Sequence, residues 1–114
     1  MKDCLFCKII KKKIPSDIVY EDKDFISFRD INPLAPLHLL IIPKKHISSI
    51  NQLKTQDKKL IGDLFLVAKK IAKDQGVSSR GYRLIFNVGK EGGQMIEHLH
   101  LHLLGGKTLS WSKY

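Results

Sequence analysis

Residues 98 to 104 read HLHLHLL, an alternation of imidazole and aliphatic side chains with a period of two. Successive side chains of a β-strand point to opposite faces, so this run predicts a strand that shows His98, His100 and His102 on one face and Leu99, Leu101 and Leu103 on the other. The leucines need a core and the histidines need a task. A lone histidine is most often a satisfied core or surface residue; three on one face, following the Gly-Gly-Gln of residues 92 to 94, point to function. Joint ligation of one catalytic zinc ion fits poorly. A strand rises about 3.3 Å per residue, which separates the outer Cα atoms by roughly 13 Å, whereas zinc–nitrogen bonds are about 2.0–2.1 Å long. Nucleophilic catalysis fits better, because neutral imidazole, with a pKa of about 6.5, can attack phosphorus and yield a covalent intermediate that water opens. Flanking imidazoles can then donate hydrogen bonds to the phosphate oxygens, and a glycine-rich loop lets backbone N–H groups approach them.

The rest of the chain supplies a frame for that strand. Residues 4 to 13 predict a short helix with Leu5, Phe6, Ile9 and Ile10 on one side, stopped before Pro15. DIVYEDKDFISFRDI, residues 16 to 31 without the opening serine, predicts a hairpin turned at Glu21 to Asp24, and HLLIIP, residues 38 to 43, a buried strand after the proline-broken NPLAP. Leu60, Ile61, Leu64, Phe65, Ala68, Ile71 and Ala72 recur at helical spacing and predict a long helix over 57 to 75, with Thr55 as cap and Gly76 as terminator. YRLIFNVG, residues 82 to 89, predicts a fourth strand, followed by a Gly-rich loop and the histidine strand over 98 to 104. These elements predict an α+β domain with a mainly antiparallel five-stranded sheet, one long helix and a short N-terminal helix, in a single domain over residues 1 to 114.

Composition narrows the functional classes. At 43% hydrophobic and 27% charged the chain is ordinary for a globular protein, and no apolar run approaches the roughly 20 residues that span a bilayer. With no signal-peptide pattern at the N-terminus, a cytoplasmic location is expected. The net charge of +9 favours anionic partners, yet the lysines are dispersed and lack interleaved aromatics, so nucleic acid is not the expected ligand. Cys4 and Cys7 form a C-x-x-C pair, open to a metal role, a redox role or simply two reduced thiols.

HLHLHLL matches the His-φ-His-φ-His-φ-φ motif of the histidine triad (HIT) superfamily, and two long stretches, LFCKIIKKKIPSDIVYEDKDFISFRDINPLAPLHLLIIPKKHIS and GYRLIFNVGKEGGQMIEHLHLHLLGG, resemble its nucleotide-binding Hint branch. The resemblance implies the HIT-like fold, a sheet continued across a homodimer, and purine nucleoside phosphoramidase activity: hydrolysis of the P–N bond of adenosine 5'-phosphoramidate or an aminoacyl adenylate, with release of AMP. It implies that His100 is the nucleophile and that His102 contacts the phosphate and assists the departing amine, with His98 and His38 supporting the array. Asn87, Gly93 and Gln94 match positions around the phosphate, Asp30 a ribose contact, and Leu5, Phe6, Ile9, Phe28 and Ile31 an apolar slot for the purine. No cofactor is required for this chemistry. Some relatives carry paired cysteines as well, so the resemblance extends to a structural zinc held by Cys4, Cys7, His46 and His98.

One departure stands out: Met95 occupies a place where many relatives have serine, which removes a hydroxyl contact usually worth about 0.5–1.5 kcal/mol. The other branch of the superfamily, which hydrolyses diadenosine polyphosphates, is a rival reading, as is a non-catalytic nucleotide-binding scaffold. Trp111 in LSWSKY resembles the family tail, which reaches towards the partner subunit.

Overall fold

A computed structural model describes residues 4–111. Five antiparallel strands form one sheet: β1 (Ile18–Glu21), β2 (Phe25–Arg29), β3 (Leu37–Pro43), β4 (Arg83–Ile85) and β5 (Leu101–Gly105), in the spatial order β1-β2-β3-β5-β4. A short helix α1 (Leu5–Ile10) covers one face and a long helix α2 (Lys58–Asp74) the other. The α+β architecture is as expected. No helix among the described residues is long and apolar enough to cross a membrane.

Two cores follow from the period-two alternation. On the α2 side, Leu37, Leu39 and Ile41 of β3 and Leu101 and Leu103 of β5 pack with Leu64, Ala68 and Ile71. On the α1 side, Ile26 and Phe28 of β2 and Leu40 and Ile42 of β3 pack with Phe6 and Ile9. Because Leu40 pairs with His102 and His38 with Leu104, the α1 face is also the imidazole face.

Several boundaries differ from the sequence expectation. Helix α1 ends at Ile10 rather than at residue 13, because Lys12 adopts a left-handed conformation (φ 60°) and the Lys12 and Lys13 N–H groups turn back to the Ile9 and Lys8 carbonyls. The same closure ends α2 at the expected glycine, Gly76 (φ 79°). Thr55 does not cap α2; it opens a 3-10 turn (Thr55–Asp57) whose Asp57 carboxylate accepts from the Lys54 N–H at 2.9 Å. Strand β4 spans 83–85 instead of 82–89, since the chain beyond it folds on itself: the Gln94 N–H donates to the Gly89 carbonyl at 3.0 Å, and a Cβ on Gly92 would collide with the Val88 carbonyl oxygen.

The histidine strand is also shorter than expected. Strand β5 begins at Leu101, so only His102 of the triad belongs to it. His98 and His100 precede the ladder, where the Leu99 N–H donates to the Ile47 carbonyl at 2.6 Å outside the sheet. Leu99 is nevertheless buried with Leu101 and Leu103, as alternation predicts.

Candidate active site and a second histidine cluster

A cavity of about 890 Å³ opens on the α1 face of the sheet. Its lining combines the polar groups of His38, His100, His102, Asp30, Asn87 and Gly93 with the apolar side chains of Leu5, Phe6, Ile9, Phe28 and Ile31, and Phe6 meets His100 edge-on at 5.1 Å. Phe6, Ile9 and Phe28 are core residues that also form the cavity wall. Ile31, 92% exposed, and Leu5, 42% exposed, have no such packing role and suit a binding slot better than a core. The wall also includes Ile14, Pro15, Ser16 and Asp17, which the sequence reading missed; they follow α1, and nothing in their residue types marks them.

Hydrogen-bond partners determine where the imidazole protons sit. His38 Nδ1 lies 3.1 Å from the Leu34 N–H, which can only donate, so His38 Nδ1 accepts and its proton is on Nε2. That Nε2 is 2.9 Å from His102 Nδ1 and 3.5 Å from an Asp30 carboxylate oxygen. His102 Nδ1 therefore accepts, which leaves its proton on Nε2. His100 Nδ1 is 2.7 Å from the His98 carbonyl and must donate, leaving the Nε2 lone pair of His100 free. Two side chains of one cavity thus carry opposite tautomers: His100 offers a lone pair and His102 a proton.

Burial keeps these rings neutral. It holds His100 below the usual imidazole range and pushes His102 down to about 4, helped by the neighbouring His100 and His38. His38 is lowered by burial as well, against the opposing pull of Asp30. At neutral pH the array is an uncharged set that offers one lone pair and one proton.

Two expected site residues stand elsewhere. Gln94 does not line the cavity; its side-chain amide donates to the Ser48 carbonyl at 2.7 Å and the Ile96 carbonyl at 3.0 Å, while its oxygen accepts from the Gly89 N–H at 3.0 Å. It pins the loop that carries Asn87 and Gly93. The His98 side chain points away from the cavity, and its support of the array runs through its backbone carbonyl to His100.

His98 belongs to a second cluster. Its Nε2 donates to the Pro43 carbonyl at 2.8 Å, which fixes the tautomer and turns the Nδ1 lone pair towards Cys4, Cys7 and His46. Nδ1 of His98 lies 3.3 Å from Cys4 Sγ, 3.6 Å from Cys7 Sγ and 3.1 Å from His46 Nδ1, and Cys7 Sγ lies 3.3 Å from His46 Nδ1. A tetrahedral zinc with ordinary bond lengths needs nitrogen–nitrogen, sulfur–nitrogen and sulfur–sulfur edges of about 3.3, 3.5 and 3.8 Å. The donor set fits. The helix start explains how: Cys4 caps α1, its sulfur accepting from the Cys7 N–H at 3.2 Å, so both thiols face the same side. Burial and the adjacent Cys4 raise the Cys7 thiol to about 11, a cost that a bound cation would reverse.

Asp30, His38 and His102 also bring three donor atoms together. Their tautomers do not suit a metal, because the Leu34 N–H occupies the His38 Nδ1 lone pair and forces a proton onto the nitrogen that would have to ligate.

Comparison with known proteins decides the family. The family described as "Scavenger mRNA decapping enzyme C-term binding" matches residues 3–113. An uncharacterized HIT-like protein of Synechococcus elongatus is 46% identical over 110 residues, which cover 96% of each chain. The chain belongs to the HIT superfamily. Among solved structures, the HIT family hydrolase from Legionella pneumophila superposes with a TM-score of 0.94 at 53% identity, covering 96% of this chain and 98% of that one. The histidine triad nucleotide-binding protein from Candida albicans gives a TM-score of 0.81 at 32% identity over 95% of this HIT protein and 84% of its own chain.

Proposed function

We propose that this HIT protein is a purine nucleoside phosphoramidase acting through a nucleotidyl-histidine at His100. The observation that carries the reading is the pair of opposite tautomers in one cavity: the unprotonated Nε2 of His100 beside the N–H of His102. The hydrolase and nucleotide-binding names of its structural relatives support it.

In this reading the His100 Nε2 lone pair forms a bond to phosphorus as the P–N bond breaks. The departing nitrogen keeps the bonding pair and takes up a proton from water by way of the His102 N–H. The hydroxide equivalent left behind is consumed when the nucleotidyl-histidine is opened, which returns neutral His100 and AMP. His102 steadies the phosphoryl oxygens as charge develops, His38 holds the tautomer of His102, and the His98 carbonyl holds that of His100. Asp30 accepts from the ribose hydroxyls, the apolar side chains take the purine, and Asn87 and Gly93 border the phosphate.

Cys4, Cys7, His46 and His98 would hold a structural zinc that ties α1 to the sheet and takes no part in the phosphorus chemistry; their spacing supports this. A homodimer through β4 is supported by its position at the sheet edge and by the exposed Phe65, which stacks edge-on against Phe86 at 6.1 Å just beyond that strand. The reduced thiols suit the cytoplasm. Of the tail, the Trp111 ring lies under the Arg83 guanidinium, whose central carbon is 5.9 Å from the ring centroid, and residues 112–114 lie outside the described residues.

The test is AMP release from adenosine 5'-phosphoramidate, measured beside diadenosine tetraphosphate. Faster turnover of the amidate is expected. Preference for the polyphosphate would move the protein to the other hydrolase reading, and turnover of neither by folded protein would favour a scaffold.

A further inference from the structure

Four large apolar side chains stand exposed around the cavity mouth: Leu5, Ile31, Leu34 and Met95. Leu5 and Ile31 belong to the purine slot, and Leu34 follows the segment of Asp30. Met95 alone rises from the loop after β4. That loop leaves β4 at Ile85, the residue paired with His102, and carries Asn87 and Gly93 along the cavity.

The backbone on either side of Met95 is held. Gln94 is anchored to Ser48, and Ile96 packs, half-buried, against the α1-side core. Between these anchors the Met95 side chain is 88% exposed while still lining the cavity. A fixed backbone thus presents a flexible, polarizable apolar chain to solvent, at a hydrophobic cost that nothing in the described residues offsets. Apolar contact with a ligand would offset it.

The ligand's geometry says which part arrives there. With the purine against Leu5 and Ile31 and phosphorus over Nε2 of the buried His100, the group leaving in line must depart on the side of phosphorus opposite that nitrogen, away from the buried ring and towards the open side of the cavity. The purine and ribose are already accommodated elsewhere. We infer that Met95 is a specificity-determining residue that grips the leaving amine, and that the preferred substrates are nucleoside 5'-phosphoramidates whose nitrogen carries an uncharged apolar substituent. This rests on the phosphoramidase reading and adds the substrate class to it.

The experiment compares kcat/KM for two adenosine 5'-phosphoramidates, N-methyl and N-cyclohexylmethyl, whose amines are closely matched in basicity. The intact protein is expected to favour the cyclohexylmethyl substrate by about tenfold or more, the scale on which added methylenes discriminate in an apolar site. Met95→Ser should reduce that ratio to about threefold or less, and Met95→Leu should restore most of it. Equal rates for both substrates, or a ratio that Met95→Ser leaves in place, would overturn the inference while leaving the phosphoramidase reading intact. Hydrolysis of neither substrate by folded protein would overturn that reading itself, and this one with it.

Discussion

The molecule holds two histidine clusters back to back, joined at His98, and they differ in where their lone pairs point. In the cavity cluster, His100 and His102 turn one lone pair and one proton towards open space. In the closed cluster, the His98 lone pair faces two thiols and a second imidazole, all within 4.8 Å of one another. Backbone groups set both outcomes: the Leu34 N–H and the His98 carbonyl for the first, the Pro43 carbonyl for the second. Five histidines of one residue type thereby divide between the cavity and a cluster of four metal-type donor atoms. What an imidazole can do is decided by the partner of its other nitrogen.

The sharpest way to break this comparison is to remove the lone pair at the cavity. His100→Ala should lower phosphoramidate turnover by roughly 10³-fold or more while leaving metal content as it was, read by steady-state AMP release and metal analysis. Removing the tautomer holder should cost less. His38→Ala should lower kcat by roughly 10²-fold, because His102 then loses the donor that keeps its proton facing the cavity. A variant with full activity would break the proposed chain of hydrogen bonds.

The closed cluster should respond in the opposite sense. Cys4→Ser, or metal removal by a chelator, is expected to lower stability by about 3 kcal/mol, the scale set by a ligand present at a hundred times its dissociation constant. Turnover should fall less than about tenfold, since no step of the phosphorus chemistry uses the cluster. Thermal unfolding and AMP release on the same samples check both halves.

The smallest effect is on pH dependence. Burial, with the neighbouring His100 and His38, holds the folded-state value of His102 at about 4, well below the ordinary imidazole value, so the unfolded chain binds more protons between the two values. Stability is therefore complete above about pH 6.5 and is lost as pH falls towards 4. Denaturant titrations at about pH 7 and pH 5 should differ by on the order of 2 kcal/mol in that direction.

The sequence carried the sheet well because period-two burial is local: Leu99, Leu101 and Leu103 are buried as the alternation requires, and β2, β3 and α2 fall within a residue or so of expectation. It carried the ends poorly. The left-handed Lys12 that stops α1 and the folding of the loop onto Gly92 depend on backbone conformations that residue type does not dictate. The apolar cavity residues and His38, His100 and His102 were legible through the family resemblance. Gln94 and His98 were not fully so, because their side chains could face the phosphate or brace the frame, and only the positions of Ser48 and Pro43 decide between these. Met95 was visible as a departure, but its exposure at the cavity mouth needed the fold.

The most direct test of the division between the clusters is to quench turnover of adenosine 5'-phosphoramidate in alkaline denaturant, where the P–N bond of a nucleotidyl-histidine survives, and map the nucleotidylated residue by mass spectrometry, with and without prior chelation. An adduct on His100 in both samples is the predicted result. An adduct on another residue, or one that disappears when metal is removed, would contradict it.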